Sequence, residues 1–210
     1  MPPDASLEEV TRTMFEPLDD SALDQLFREA RSFNGWLDKD VSEAQIHAIY
    51  ELAKMGPTSA NQQPARFIWC RSPEAKERLA VYASEGNAGK IRSAPVCLII
   101  GYDLDFHEQL PWLFPHADAR SWFAGDEGKR RESAFRNSVL QGAYVMLAAR
   151  ALGLDCGPMS GFDQDGVTRD FFADRPRYRA DWLCAIGYGD ESTIFGRSPR
   201  PEFDIFNQVL

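Results

Sequence analysis

The stretch from Met55 to Pro64 concentrates side chains that could bind a planar, polar ligand. It holds two hydroxyl groups and three side-chain amides, carries no charge and has little apolar bulk. Such a segment packs poorly but can hydrogen-bond the edge of a ring. The simpler interpretation is a helix stop followed by a turn, because Gly and Pro end helices in this way.

Arginine side chains occur in two other segments that could bind an anion. Arg31 is followed by Ser32 and Asn34, and near the C-terminus Arg197 stands three residues before Arg200. Planar guanidinium groups and a hydroxyl suit a phosphate. The alternatives are a helix exit for the first segment and a solvated basic run for the second.

Two further polar segments border strands that the apolar pattern predicts. Asn87 and Lys90 lie three residues apart in a predicted loop before the strand 94–101, where they could hold a heterocycle. A second predicted loop, over 156–163, could offer backbone N–H groups to a ligand. Its candidate residues are Pro158, Met159, Ser160 and Gly161.

Residues 103–130 form an irregular, aromatic-rich segment interrupted by Pro and Gly. Aromatic side chains on such a segment are typical of a lid over a ligand with an apolar face. An equally good interpretation is a satellite core under a long loop. The candidate substrate contacts are Trp112, Trp122 and Phe123.

The elements that must position these segments are helices separated by a few strands. Helices are predicted over 21–30, from the capping box at Ser42 to Gly56, from Pro73, over 132–152 and over 166–172. Strands are predicted over 66–70, 94–101 and 181–187. This pattern favours an α+β fold with a central mixed sheet surrounded by helices, in a single domain spanning 1–210 with an acidic surface arm at 1–19.

The longest predicted helix, over 132–152, has a broad apolar face. That width suits a central helix and is compatible with a position at a subunit interface. Its apolar members are Val139, Leu140, Ala143, Met146, Leu147 and Ala151.

Composition excludes several classes of protein. The net charge of −9 argues against nucleic-acid and anionic-membrane partners. No apolar run reaches the ~20 residues of a membrane helix, and the acidic N-terminus is unlike a secretory signal, so a cytoplasmic protein is expected. The four Cys are expected to be buried free thiols, and no Cys–His spacing indicates a metal.

No self-sufficient catalytic motif is present: the sequence shows neither a nucleophile elbow, nor a P-loop, nor a Rossmann fingerprint. Separate polar loops with Arg, amides and glycines instead suit a ligand that has an anionic end and a planar hydrogen-bonding end. Flavin mononucleotide (FMN) fits that description and brings its own reactivity.

With these segments in order, the chain resembles the flavin-dependent nitroreductase family from about Leu23 to Pro201. Arg31, Ser32 and Asn34 resemble the N-terminal phosphate motif, and Arg197 and Arg200 its C-terminal basic pair. The resemblance implies that the other contacts to FMN come from Pro57, Thr58, Ser59 and Asn61 of the partner subunit, Asn87 and Lys90 at the pyrimidine side, and Pro158, Met159, Ser160 and Gly161 near N5.

Some positions depart from the family pattern. Ala30 and Asn34 stand where Arg is usual, Ala65 replaces an aromatic residue, and Ser160 replaces a Glu, which removes any role of that carboxylate. These departures, with the stretches 34–39 and 56–61, resemble the malonic semialdehyde reductase branch associated with pyrimidine degradation.

The resemblance implies an intertwined homodimer with FMN at the interface and a ping-pong hydride transfer. NAD(P)H would reduce flavin N5, and malonic semialdehyde would then be reduced to 3-hydroxypropionate. No side chain need act catalytically, and the Gly161 backbone N–H would lie near N5. The alternatives are an NAD(P)H reductase of nitroaromatics, quinones or enones, a flavin-binding protein without turnover, and an interaction protein whose polar loops are only turns.

Overall fold

The computed structural model describes residues 16–210, so most of the predicted arm at 1–19 lies outside the described residues. The helices are α1 (Asp20–Leu23, continued by a π-helical turn Asp24–Arg28), α2 (Glu43–Ala53), α3 (Pro73–Ala80), α4 (Glu85–Ser93), α5 (Leu110–Leu113), α6 (Ser121–Ala124), α7 (Glu127–Ala151), α8 (Gln164–Phe171) and α9 (Phe203–Phe206). The strands are β1 (Ala65–Cys70), β2 (Val96–Asp103), β3 (Asp155–Met159) and β4 (Tyr178–Gly187). Turns of 3₁₀-helix cover Ser59–Asn61, Phe106–Gln109 and Glu191–Thr193.

The four strands form one sheet in the order β1-β2-β4-β3, and each pair of neighbours is antiparallel. A parallel bridge between Ser32 and Cys156 adds to the outer edge of β3 and is the parallel part of the described sheet. The predicted α+β fold is therefore confirmed. Since neighbouring strands lie about 4.8 Å apart, the edge strands β1 and β3 are separated by about 14 Å.

Both faces of the sheet are covered by helices. Every residue of β2 is buried, which explains why this strand reads as a continuous apolar run. Cys97 and Ile99 point toward the helices α3, α4 and α8, whereas Leu98 and Ile100 point toward α2 and α7.

Local signals in the sequence set several helix ends. The capping box of Ser42 and Gln45 opens α2, and Ser72 with Pro73 opens α3, both as predicted. The long helix α7 begins at Glu127, earlier than predicted, because the Asp126 side chain accepts a hydrogen bond from the Lys129 N–H at 2.9 Å.

Two segments predicted as loops contain regular elements: the prediction was wrong for 87–90 and, within 156–163, wrong for the part up to Met159. Asn87 and Lys90 lie inside α4, where Gly86 and Gly89 lowered the expectation of a helix. Pro158 and Met159 belong to β3. A proline is tolerated there because β3 is an edge strand.

The apolar face predicted for the longest helix is only partly packed inward: Met146 packs against the core. Val139 and Leu140 are exposed by 40% and 48%, and Phe135 is exposed by 47%. The face of α7 that packs inward is built instead from small and polar side chains, namely Ala134, Asn137, Ser138, Gln141, Gly142, Val145, Ala148 and Ala149.

Candidate functional site

Four of the five residues predicted to bind an anion line one cavity of about 370 Å³. The N-terminal segment around Arg31 is attached to β3 by the Phe33 N–H, which donates to the Cys156 carbonyl at 3.0 Å. The C-terminal tail, from Phe195 onward, is held against that segment because the Arg31 guanidinium donates to the Phe195 carbonyl. The lining residues include Arg31, Ser32, Arg150, Arg197 and Arg200, and no carboxylate.

This cavity is a local basic site in an acidic chain, and its donor set suits a phosphate. Arg150, on the last turn of α7, was missed by the sequence analysis because a basic residue near a helix C-terminus is common without any ligand. Asn34 does not line the cavity; its side-chain amide donates to the Thr193 carbonyl at 3.1 Å and so holds the tail.

A second group lies beyond the far end of β3. The Gly161 carbonyl accepts hydrogen bonds from the Asn87 side chain at 3.1 Å and from the Ser84 N–H at 2.9 Å. The Gly161 N–H has no acceptor among the described residues. A Cβ at Gly161 would lie 3.0 Å from the Asn87 amide nitrogen, so this position closely fits a glycine. Lys90 is half-buried one turn further along α4.

The residues at the end of β3 and just after it differ in exposure. Pro158 and Ser160 are exposed, whereas the side chain of Met159 is buried in the core. The Met159 side chain points into the core, so only its backbone, which is the part named in the prediction, could meet a surface ligand. Gly161 is five positions after Cys156, so an extended chain places the arginine cavity and the Gly161 group about 17 Å apart.

The loop that ends at Pro64 lies at the opposite edge of the sheet, before β1. Pro57 is exposed, and the Thr58 hydroxyl accepts from the Gln63 N–H at 3.2 Å. The Asn61 side chain donates to the Leu113 carbonyl at 2.8 Å. Ala60, Asn61 and Gln63 have positive φ angles of 50°, 47° and 40°.

Three polar residues of α7 hold this loop. They follow one another at i, i+4 and i+8 and so share one helix face. Ser133 and the Gln62 side chain hydrogen-bond at 3.0 Å, Asn137 accepts from the Ser59 N–H at 2.8 Å, and Gln141 accepts from the Ala65 N–H at 2.9 Å. We call Ser133, Asn137 and Gln141 the polar seam. Sequence reasoning missed it, although uncharged polar residues spaced four apart on one face of a helix are a usable signal.

A cavity of about 680 Å³ lies beside this loop. Its wall contains aromatic groups, amides and two cations. The lining residues are Tyr50, Lys54, Met55, Asn61, Gln63, Ala65, Arg66, Phe67, Trp69, Gln109, Trp112, Leu113 and Gln141.

The predicted aromatic contacts are divided between surface and core. Trp112 is 70% exposed and lines the large cavity. Trp122 is 47% exposed, with its ring 6.1 Å from that of Phe114. Phe123 is buried with its ring 5.0 Å from that of Phe106. The prediction that Phe123 contacts a substrate is therefore wrong, because its side chain fills a satellite core.

Residues 16–210 contain neither a metal-binding group nor a membrane-spanning helix. No group of three or more His, Cys, Asp or Glu side chains is placed to hold a metal ion. No helix in that range has the length and apolar character needed to cross a membrane. All four Cys are buried free thiols, as predicted.

Comparison with known proteins assigns the chain to a family. The profile of the Nitroreductase family matches residues 27–190, and the chain belongs to that family. A protein of Burkholderia lata is 58% identical over 187 residues, covering 89% of this chain and 95% of the relative. One of Ralstonia nicotianae is 52% identical over 193 residues, covering 92% and 98%. Both carry the provisional name NADH dehydrogenase/NAD(P)H nitroreductase.

Solved structures share the fold. A nitroreductase of Exiguobacterium sibiricum, solved in complex with FMN, has a TM-score of 0.81 at 22% identity and covers 94% of this chain and 100% of its own. An enone reductase of gut-bacterial fatty acid saturation has a TM-score of 0.79 at 18% identity and covers 91% and 99%.

Proposed function

We propose that this chain is an FMN-dependent NAD(P)H oxidoreductase. The observation that carries the proposal is the arginine cavity and the Gly161 group, joined by β3 at a spacing that one extended ligand could bridge. Family membership and the FMN complex of the Exiguobacterium relative support it. When bound, FMN would accept a hydride from NAD(P)H and pass it to an acceptor.

The residues of the chain would bind and orient this cofactor. Arg31, Arg197 and Arg200 would hold the phosphate, with Arg150 adding charge from α7. The free N–H of Gly161 would donate to the ring, and Asn87 would keep Gly161 in place through its carbonyl. No side chain would need to gain or lose a proton, so catalysis would rest on positioning.

We propose that the site is shared between two subunits. Within one chain, the loop that carries Thr58, Ser59 and Asn61 lies at the β1 edge, whereas the arginine cavity and Gly161 lie at the β3 edge. A second copy of the chain could bring its own loop to this ligand. The apolar residues on the outer face of α7 offer a surface for that contact.

A comparison of FMN with riboflavin tests the phosphate site. Arg31→Gln should weaken FMN binding about ten- to a hundred-fold and leave riboflavin binding nearly unchanged, since only FMN carries a phosphate. Arg28→Gln is the matched control, because Arg28 pairs with Asp20 and Asp24 on the surface. Purified protein that is colourless and does not bind FMN would overturn the proposal.

Reduction distinguishes an enzyme from a flavin carrier. Anaerobic NADH or NADPH should bleach the flavin absorbance of the holoprotein. Flavin that stays oxidised would favour the alternative of a binding protein without turnover.

We propose malonic semialdehyde as the acceptor, on the resemblance of residues 34–39 and 56–61 to that branch. The names of the relatives favour the alternative, a broad nitroreductase. Steady-state NAD(P)H oxidation with malonic semialdehyde, a nitroaromatic, a quinone and an enone decides between them. Fast nitro reduction without aldehyde reduction would exclude the first acceptor.

A further inference from the structure

We propose that Gln141 is a positioning residue that couples the loop bearing Asn61 to the segment bearing Trp112. The inference rests on the proposed function, in which Asn61 belongs to the loop that reaches the cofactor. Trp112 is the predicted substrate contact that lines the same cavity. It is carried by a continuous chain of side-chain amides. Gln141, Gln63, Asn61 and the Leu113 carbonyl follow one another along the wall of the 680 Å³ cavity.

Each bond of this chain runs in the same direction. Gln141 Nε2 donates to Gln63 Oε1 at 2.6 Å, and Gln63 Nε2 donates to Asn61 Oδ1 at 3.0 Å. Asn61 Nδ2 then donates to the Leu113 carbonyl at 2.8 Å. Hydrogen bonds aligned in this way polarise one another.

The backbone at both ends dictates the direction. The Ala65 N–H can only donate, so the Gln141 side chain must turn its oxygen to Ala65 and its nitrogen to Gln63. The Leu113 carbonyl can only accept, so Asn61 must turn its nitrogen to Leu113. One arrangement of the three amides therefore satisfies both ends, and Gln141 is its anchor because it is 6% exposed on a long helix.

The backbone conformation of this loop is a separate indication that contacts with other elements hold it. Three non-glycine residues, Ala60, Asn61 and Gln63, adopt left-handed φ angles. Such conformations cost free energy and persist where the surroundings fix them. The polar seam of α7 supplies that support, and Gln141 is the seam residue that also reaches Leu113 through other side chains.

Removal of the Gln141 side chain should therefore weaken the contact that holds α5. In Gln141→Met, a substitution of similar volume, Gln63 loses the donor that fixes its orientation. Gln63 is then held only through Asn61, and the bond from Asn61 to the Leu113 carbonyl loses the support of the aligned bonds before it. The turn Leu110–Leu113 and the attached Trp112 are therefore held less firmly.

Hydrogen exchange on the apoprotein measures this coupling without FMN. Gln141→Met should speed exchange of the amides at 110–114 about three- to ten-fold, the range expected for one hydrogen bond. Asn137→Leu is the matched control, because Asn137 is equally buried on the same helix face and holds the Ser59 N–H but not Leu113. It should speed exchange near Ser59 and leave 110–114 unchanged. Amides of β2 monitor global folding in both variants.

Kinetics of the holoenzyme give the second readout. Gln141→Met should raise KM for the acceptor about three- to ten-fold with little change in kcat, because the substrate segment is displaced rather than the flavin. Unchanged exchange at 110–114, equal acceleration in both variants, or an unchanged KM would overturn the inference. If the wild-type chain fails to bind FMN, the proposed function fails while the apoprotein exchange still decides the coupling.

Discussion

Asp181 is a buried carboxylate whose charge works against folding. It lies at the bulge of β4, where the register against β2 shifts, and its side chain faces Ser138 of α7 at 3.4 Å. Burial raises the pKa of Asp181 to about 6 from 3.8. A group whose pKa is higher in the folded state favours folding when protonated. Stability should therefore fall as the pH rises from about 4 to about 6.

Asp181→Asn should remove this pH dependence and stabilise the protein at pH 7.5 by about 1–3 kcal/mol, because no charge is then buried. Urea unfolding between pH 4 and pH 8 measures both effects. Asp170→Asn is a control of opposite sign, because its hydrogen bonds with Arg78 lower the pKa of Asp170, and the variant should lose stability above pH 4. An unchanged pH slope in Asp181→Asn would contradict the assignment.

At the residue scale, the sequence predicted side-chain chemistry better than side-chain direction. Arg31, Arg197 and Arg200 meet in one cavity, as their chemistry suggested. Phe123 is buried instead of facing a ligand, because its side chain fills a satellite core. The polar seam could have been found from the four-residue spacing of Ser133, Asn137 and Gln141 on one helix face.

At the scale of elements, glycine has different structural effects in the helices α4 and α7. Gly142 faces Trp182 so closely that a Cβ would lie 2.2 Å from the ring. Gly89 has open space where its Cβ would be. Glycine therefore permits helix–sheet packing in α7 and only weakens the helix in α4.

Alanine substitutions should thus have opposite effects on the stability of the apoprotein. Gly142→Ala should destabilise it by about 1–3 kcal/mol, because overpacking outweighs the gain in helix propensity. Gly89→Ala should stabilise it by about 0.5–1 kcal/mol. Chemical denaturation measures both, and a stabilised Gly142→Ala would show that Trp182 can move aside.

Caps and apolar runs made most elements predictable, and tertiary packing explains the misses. The capping box at Ser42 and the Ser72–Pro73 pair act locally, so α2 and α3 begin where expected. The helix α4 packs Ala88 and Ile91 into the core despite its glycines. The inward face of α7 is small and polar because Trp182 and the loop before β1 occupy the space beneath it.

At the scale of the whole molecule, the outer face of α7 is an apolar surface on an acidic chain. Leu140→Glu should convert a dimer of the 23.7 kDa chain to monomers and weaken FMN binding, because it places a charge in the proposed interface. Sedimentation equilibrium measures the mass.

Val81→Glu serves as the control for this prediction. Val81 is also exposed, by 65%, but follows α3 on another part of the surface. It should leave both the mass and FMN binding unchanged. A monomeric wild-type chain that binds FMN tightly would contradict the shared site.

The four buried thiols can report on global unfolding of the protein. Cys70, Cys97, Cys156 and Cys184 lie on four different strands and are all buried. Burial raises the pKa of Cys70 to about 12, so the reactive thiolate is scarce in the native state. An alkylating reagent should therefore modify all four together, at a rate set by global opening of the sheet, and mass spectrometry should show unmodified and fourfold-labelled chains with few intermediates. Added FMN should slow that labelling, because a ligand bound to the native state lowers the population of opened molecules. The change in labelling rate would then give the affinity for FMN without a measurement of flavin absorbance.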